Sequence, residues 1–227
     1  MSISREEQSA ATKAALRRAL LAWRRQLPSA ERQAAVAAMG GHLEALWRQQ
    51  GWLAESSDSS GTSGSPARSV MLAVYWPIRG EPNLLAHFDR WRERGMSLAL
   101  PVTPRERAPL RFAHWPLGGG MQTDGFGIAS PADPQWVQPD ALLIPCVGFD
   151  LRGYRLGYGG GYYDRTLAYF EGATFGLGFD GGRLAELPVL WHDIALDRII
   201  TERGDLRGGR TIARAPAVPD SSAPSDH

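Results

Sequence analysis

Three things are nearly missing from this 227-residue chain: it has one cysteine, Cys146, one lysine, Lys13, and a formal net charge of only +1. A lone cysteine excludes an internal disulfide. Sitting in the apolar run Ala141–Phe149, Cys146 reads as a buried small hydrophobe and not a nucleophile. The near-zero charge leaves no electrostatic footprint for a nucleic-acid module. No apolar run approaches the roughly 20 residues of a membrane span, and Met1 to Gln8 hold no apolar signal core. A cytoplasmic protein that binds neither nucleic acid nor membrane is expected. Every other one of the 25 basic residues is arginine, so the retained Lys13 hints at a position where a compact ammonium is wanted and a guanidinium is not. The plain alternative is an accidental surface lysine.

What is present, 43% hydrophobic and 22% charged residues, is the composition of a globular chain of a length that suits one well-filled domain. Thr12 to Leu27 reads as an amphipathic helix with Leu16, Leu20, Trp23 and Leu27 on one face, ended by Pro28. Lys13 and Arg17 lie one turn apart, roughly 50–90° from the centre of that stripe and so at its border with solvent. A second helix starts at Ser29 as N-cap, with Val36, Met39, Leu43 and Trp47 inward. Residues 55–67 are Ser- and Gly-rich and read as a flexible insertion. Strand 70–75, helix 83–95 and strand 97–101 form a βαβ unit, which predicts parallel strands. Trp76 and Glu81 then fall in the loop at the carboxyl end of a strand, where open α/β sheets bind ligands. Glu81 has a blander reading as an acid complementing a helix N-terminus.

A short strand follows at 110–115, then a turn-rich stretch at 121–131, a buried strand at 141–149 and another at 174–179. His192 reads as a buried structural histidine and Asp193 as a turn residue. The domain is expected to end at 206, leaving 207–227 as a disordered tail.

Between two of these elements lies Arg155-Leu-Gly-Tyr-Gly-Gly-Gly-Tyr-Tyr-Asp-Arg165. Glycines let a backbone bend sharply and lie against a ligand. Tyr163, Leu167 and Phe170 recur at helical spacing after it. A strand, a glycine loop and a helix can hold phosphate on backbone N–H groups. The loop lacks the Gly-Lys-Ser/Thr ending of a P-loop, and Tyr162 stands where a dinucleotide fingerprint has its third glycine. A ligand-free turn stays open, although two arginines, an aspartate and the tyrosines crowd the glycines with chemistry that a plain turn does not need.

The same eleven residues resemble the signature of the 5-formyltetrahydrofolate cyclo-ligase (5,10-methenyltetrahydrofolate synthetase) family. Lys13-Ala-Ala-Leu-Arg17, Gly80-Glu81 and His192-Asp193 match further motifs in order, so the resemblance runs from about residue 12 to 203. It implies an α/β fold: a single three-layer sandwich with a mostly parallel sheet, of the sugar-phosphate isomerase and CoA-transferase type. It also implies ATP-dependent cyclisation of 5-formyltetrahydrofolate by a monomer acting on small molecules. Lys13, Arg17, Arg155, Gly157, Tyr158, Gly159, Gly160, Gly161, Tyr162 and Tyr163 would hold ATP, and Trp76, Glu81 and Tyr158 to Tyr162 the folate. Arg155 and Tyr162 would serve catalysis, and Asp164 and Asp193 would bind Mg²⁺. The chain departs from the family at Ser130-Pro131, where an acid is expected before the proline. A catalytically silent folate- or nucleotide-binding relative, or a sugar-phosphate enzyme of the same architecture, are the rival readings.

Overall fold

The amphipathic stripe near the N-terminus becomes helix α1, Arg5–Gln26, which begins earlier than its apolar pattern predicts. Glu6 and Glu7 in its first turn and Arg24 and Arg25 in its last both complement the helix dipole. Helix α2, Ser29–Gln49, follows with Pro28 at the N-cap position and no side-chain cap, so Ser29 opens the helix instead of capping it. The computed structural model describes residues 5–53 and 70–208. The 55–67 insertion and all but the first two residues of the 207–227 tail therefore lie outside the described residues.

Strand β1, Met71–Ala73, helix α3, Leu85–Glu93, and strand β2, Ser97–Val102, make the predicted βαβ unit, with Met71 opposite Ser97 in a parallel pair. Strand β3, Arg111–His114, returns antiparallel to β2. The turn-rich stretch is in fact a small hairpin of β4, Met121–Thr123, and β5, Ala129–Pro131, built around an Asx turn in which Asp124 Oδ1 accepts the Phe126 and Ile128 N–H groups. Ser130 is buried in β5. Strand β6, Trp136–Val137, leads into β7, Ala141–Pro145.

The apolar run 141–149 is not one strand. After Pro145 the chain changes partners: Cys146 N–H still bonds Leu177, but Val147 N–H turns to Leu156. Strand β8, Gly148–Phe149, pairs with β9, Arg155–Leu156, away from the main sheet. Helix α4, Tyr162–Leu167, then β10, Ala173–Leu177, β11, Arg198–Thr201, and β12, Gly204–Arg207, complete the described chain. β12 pairs antiparallel with β11 through Arg207, one residue past the expected end of the domain.

The main sheet runs β12-β11-β10-β7-β1-β2-β3-β6, with the five strands from β11 to β2 mutually parallel. Period-two alternation divides its side chains between two apolar clusters. Leu72, Leu98, Leu143, Phe175 and Ile200 pack with Met39, Leu43 and Trp47 of α2 and Phe88 and Trp91 of α3. Ala73, Ala99, Leu142, Ile144 and Ile199 pack with Leu167 of α4. Each fully buried Leu or Phe contributes about 1.5–3 kcal/mol, and a sheet covered on both faces is the three-layer arrangement expected.

Because the central strands are parallel, their carboxyl ends share one edge of the sheet. Helix α1 lies across that edge. Leu20 sits where a Cβ on Gly148 would be, and Trp23 where one on Gly181 would be. No helix among the described residues is long and apolar enough to cross a membrane.

Candidate functional site

The glycine loop connects β9 to α4 at this edge. Gly159 has φ +94° and Gly161, at the N-cap of α4, has φ +67°, both in the left-handed region where a side chain is strained. A Cβ on Gly159 would also lie 3.3 Å from the Arg17 guanidinium carbon, a tight contact. Arg17 Nε donates to the Gly157 carbonyl at 2.6 Å. On the other side Arg165 donates to the Gly160 carbonyl at 2.9 Å and lies over the Tyr162 ring, 4.9 Å from its centre. Tyr162 meets Phe126, at the tip of the β4–β5 hairpin, edge-on at 6.1 Å. The loop is thus pinned between α1 and its own helix.

Lys13 pairs with Asp193, 180 residues away in sequence. Asp193 Oδ2 also accepts the Leu190 N–H at 2.6 Å, so the same residue closes a turn. Arg155 donates to Asp164 at 2.8 Å and to the Ile194 carbonyl at 3.0 Å, which ties the two aspartates together through the residue next to Asp193. Lys13, Arg17, Arg155, Asp164 and Asp193 are therefore brought to one place. Arg155 itself is only 4% exposed, and both of those bonds go to protein groups. His192, expected to be buried, is exposed and touches the Trp191 ring.

The other half of the site is a buried polar cluster around Glu81. Its carboxylate folds back onto the Ile78 N–H at 2.9 Å and is 4% exposed. Helix α3 begins only at Leu85, so Glu81 is not acting as a first-turn acid. Burial pushes its carboxyl up to about 7, against the opposing pull of the Ile78 N–H, the Tyr158 hydroxyl, Arg24 and Arg79. Burial, and then the Glu81 charge, likewise raise the Tyr75, Tyr158 and Tyr163 hydroxyls above their usual range. Trp76 is half-buried and packs edge-on against Trp115 at 6.0 Å. Cys146 is inert as expected, its thiol pushed up to about 11 by burial.

Sequence reasoning missed Arg24 and Arg79. Arg24 is the most deeply buried side chain of α1 at 1% exposure, and it bonds the Cys146 carbonyl and, at 3.4 Å, the Tyr158 hydroxyl. A signal for it existed: Lys13, Arg17, Leu20 and Arg24 lie within about 60° of one helical stripe at 100° per residue. Arg79 lies over the Tyr158 ring at 5.3 Å and has φ +49°, but no sequence pattern marks it.

The sequence model of the 5-formyltetrahydrofolate cyclo-ligase family matches residues 63–202, more than half of the chain. The chain belongs to this family. A 5-formyltetrahydrofolate cyclo-ligase of Mycolicibacterium smegmatis is 31% identical over 204 residues, covering 85% of this chain and 94% of the relative. That of Escherichia coli K12 is 42% identical over 139 residues, 57% and 76% of the two chains. The solved structure of 5,10-methenyltetrahydrofolate synthetase from Aquifex aeolicus superposes with a TM-score of 0.70 at 26% identity, covering 92% of this chain and 97% of the other. As a cyclo-ligase family member, the chain carries the α/β fold that its sequence predicted.

The family implies a magnesium ion. Among the described residues no group of three His, Cys, Asp or Glu side chains could hold a metal. Asp164 and Asp193 are two hard oxygen donors, and each has one carboxylate oxygen with no donor from the described residues. Two carboxylates completed by phosphate oxygens and water is how Mg²⁺ is usually bound. The residues fit.

Proposed function

We propose that this chain catalyses the ATP-dependent cyclisation of 5-formyltetrahydrofolate to 5,10-methenyltetrahydrofolate, releasing ADP and phosphate. The observation that carries the reading is a two-sided site: a charged side around Lys13, Arg17, Asp164 and Asp193, and a buried polar side around Glu81, joined by one glycine loop.

The chemistry explains why both sides are needed. A formyl oxygen is a poor leaving group. Transfer of the γ-phosphoryl group to it, with ADP departing, converts it to a phosphate ester of the imidate. N10 then attacks the formyl carbon, the C–O bond breaks, phosphate leaves with the electron pair, and the N10 proton passes to solvent. Such a reaction asks the protein for positioning and charge neutralisation more than for a covalent partner. Lys13 and Arg17 would neutralise the nucleotide phosphates, and the loop amides from Gly157 to Tyr163 would cradle them. Arg155 keeps Asp164 in place. Mg²⁺ on Asp164 and Asp193 would supply further charge neutralisation when bound. Glu81, Trp76, Tyr158 and Tyr162 would hold the folate.

The test is the absorbance of methenyltetrahydrofolate formed from 5-formyltetrahydrofolate, with and without ATP, alongside phosphate release. Product that requires ATP and matches phosphate in amount is expected. Absence of ATP-dependent product from folded protein would overturn the reading.

A further inference from the structure

Arg24 is a charged side chain where α1 would ordinarily bury a leucine. Its guanidinium is 1% exposed, yet its Nε finds no acceptor and its bond to the Tyr158 hydroxyl is long at 3.4 Å. A buried donor left unpaired is destabilising and calls for an explanation, and an apolar residue in place of a buried ion is often neutral or better for stability. The side chain nonetheless spans the site. It is anchored on the Cys146 carbonyl just past β7, reaches Tyr158 in the glycine loop, and acts on the Glu81 carboxyl through its charge. It also lies on the same stripe of α1 as Lys13 and Arg17.

We propose that Arg24 is a positioning residue for the reaction, holding the Tyr158 hydroxyl and the Glu81 carboxyl together so that the folate side of the site is kept in register with the nucleotide side. The proposal rests on the reading of Glu81 as a folate contact. The groups facing Glu81 are Arg24 from α1, Arg79 from its own loop, Tyr75 at the end of β1, Tyr158 from the glycine loop and Tyr163 from α4. Cys146 also feels the Glu81 charge, and Arg155 acts on Tyr163. Arg24 and Arg79 are the two cations that pull the Glu81 proton off against burial. Arg24 is the buried one of the pair.

The experiment is the pH profile of kcat/KM for 5-formyltetrahydrofolate at saturating ATP, followed by phosphate release, in the wild type, Glu81→Gln, Arg24→Met and Arg24→Lys. The wild type should show a transition near pH 7, where the Glu81 carboxyl titrates, and Glu81→Gln should lack it. Arg24→Met should move that transition alkaline by about one pH unit or more and raise KM for the folate about tenfold, with KM for ATP little changed. Arg24→Lys keeps the charge but loses the fork, so its transition should stay near the wild-type position while KM for the folate still rises. A transition that Glu81→Gln abolishes but Arg24→Met leaves in place overturns the proposal. A transition that survives in Glu81→Gln overturns the role of Glu81, and the proposal with it. Should Arg24→Met fail to fold, an unchanged KM for the folate in Arg24→Lys overturns the proposal.

Discussion

Replacing Glu81 by glutamine should make the protein more stable, and increasingly so as pH rises. The native carboxyl releases its proton at about 7 where 4.5 is usual, because burial disfavours the charged form. The folded state therefore holds this proton more tightly than the unfolded chain. Its contribution to stability is fully present below pH 4.5 and is lost as pH rises through about 7. At about 1.4 kcal/mol per pH unit, the loss comes to under about 1 kcal/mol at pH 5 and about 3 kcal/mol at pH 8.5. Glutamine is a neutral mimic of the protonated acid, keeps an oxygen for the Ile78 N–H, and carries no such dependence. The gain of Glu81→Gln over wild type should grow between those two values, or about 6–12 °C in Tm at the alkaline end for a domain of this size. Urea unfolding at both pH values, without ligands, measures it. A difference that stays within about 0.5 kcal/mol over the range would mean that Arg24, Arg79 and the Tyr158 hydroxyl hold the ionised form well enough to cancel burial.

Three further substitutions probe the charged side. Lys13→Ala and Arg17→Ala should each raise KM for ATP about ten- to a hundredfold, the equivalent of about 1.5–3 kcal/mol for a charge-assisted contact, with KM for the folate nearly unchanged; equal ATP dependence in steady-state kinetics would return the pair to a structural role in pinning the glycine loop and the Asp193 turn. Asp164→Asn should lower turnover about a hundredfold or more at low Mg²⁺ and recover in part as Mg²⁺ is raised, because a neutral amide is a poor ligand for a hard cation. Near wild-type turnover in that variant at low Mg²⁺ would remove Asp164 from the metal site.

Much of the architecture could be read from local pattern. The stripe of Met39, Leu43 and Trp47 and that of Leu84, Phe88 and Trp91 are set by the 3.6-residue period and are buried as that period requires. The parallel pairing of β1 with β2 follows from the intervening α3. The glycine loop with Asp164 and Arg165 was legible because a backbone that bends at Gly159 and Gly161 needs residues without a Cβ. The run 141–149, in contrast, has no local feature that says where it leaves the sheet. It leaves the sheet after Cys146, whose N–H still bonds Leu177 of β10, because the Val147 N–H finds its acceptor on Leu156, a partner that exists only once β9 is in place. The β4–β5 hairpin was hidden because its strands are three residues each and expose one of them entirely.

The site divides in the same way. Sequence determined which residues carry charge or backbone freedom: Lys13, Arg17, Asp164, Asp193 and the glycines. What each of them faces was decided by tertiary structure alone. Lys13 meets Asp193 across 180 residues, and Arg155 turns inward to hold Asp164 and the Ile194 carbonyl instead of facing outward. Glu81 is displaced toward neutrality by burial, and the tyrosines that feel its charge, Tyr75, Tyr158 and Tyr163, come from three separate segments. Desolvation depends on how many groups from distant parts of the chain surround an atom, and spacing along a sequence carries no record of that.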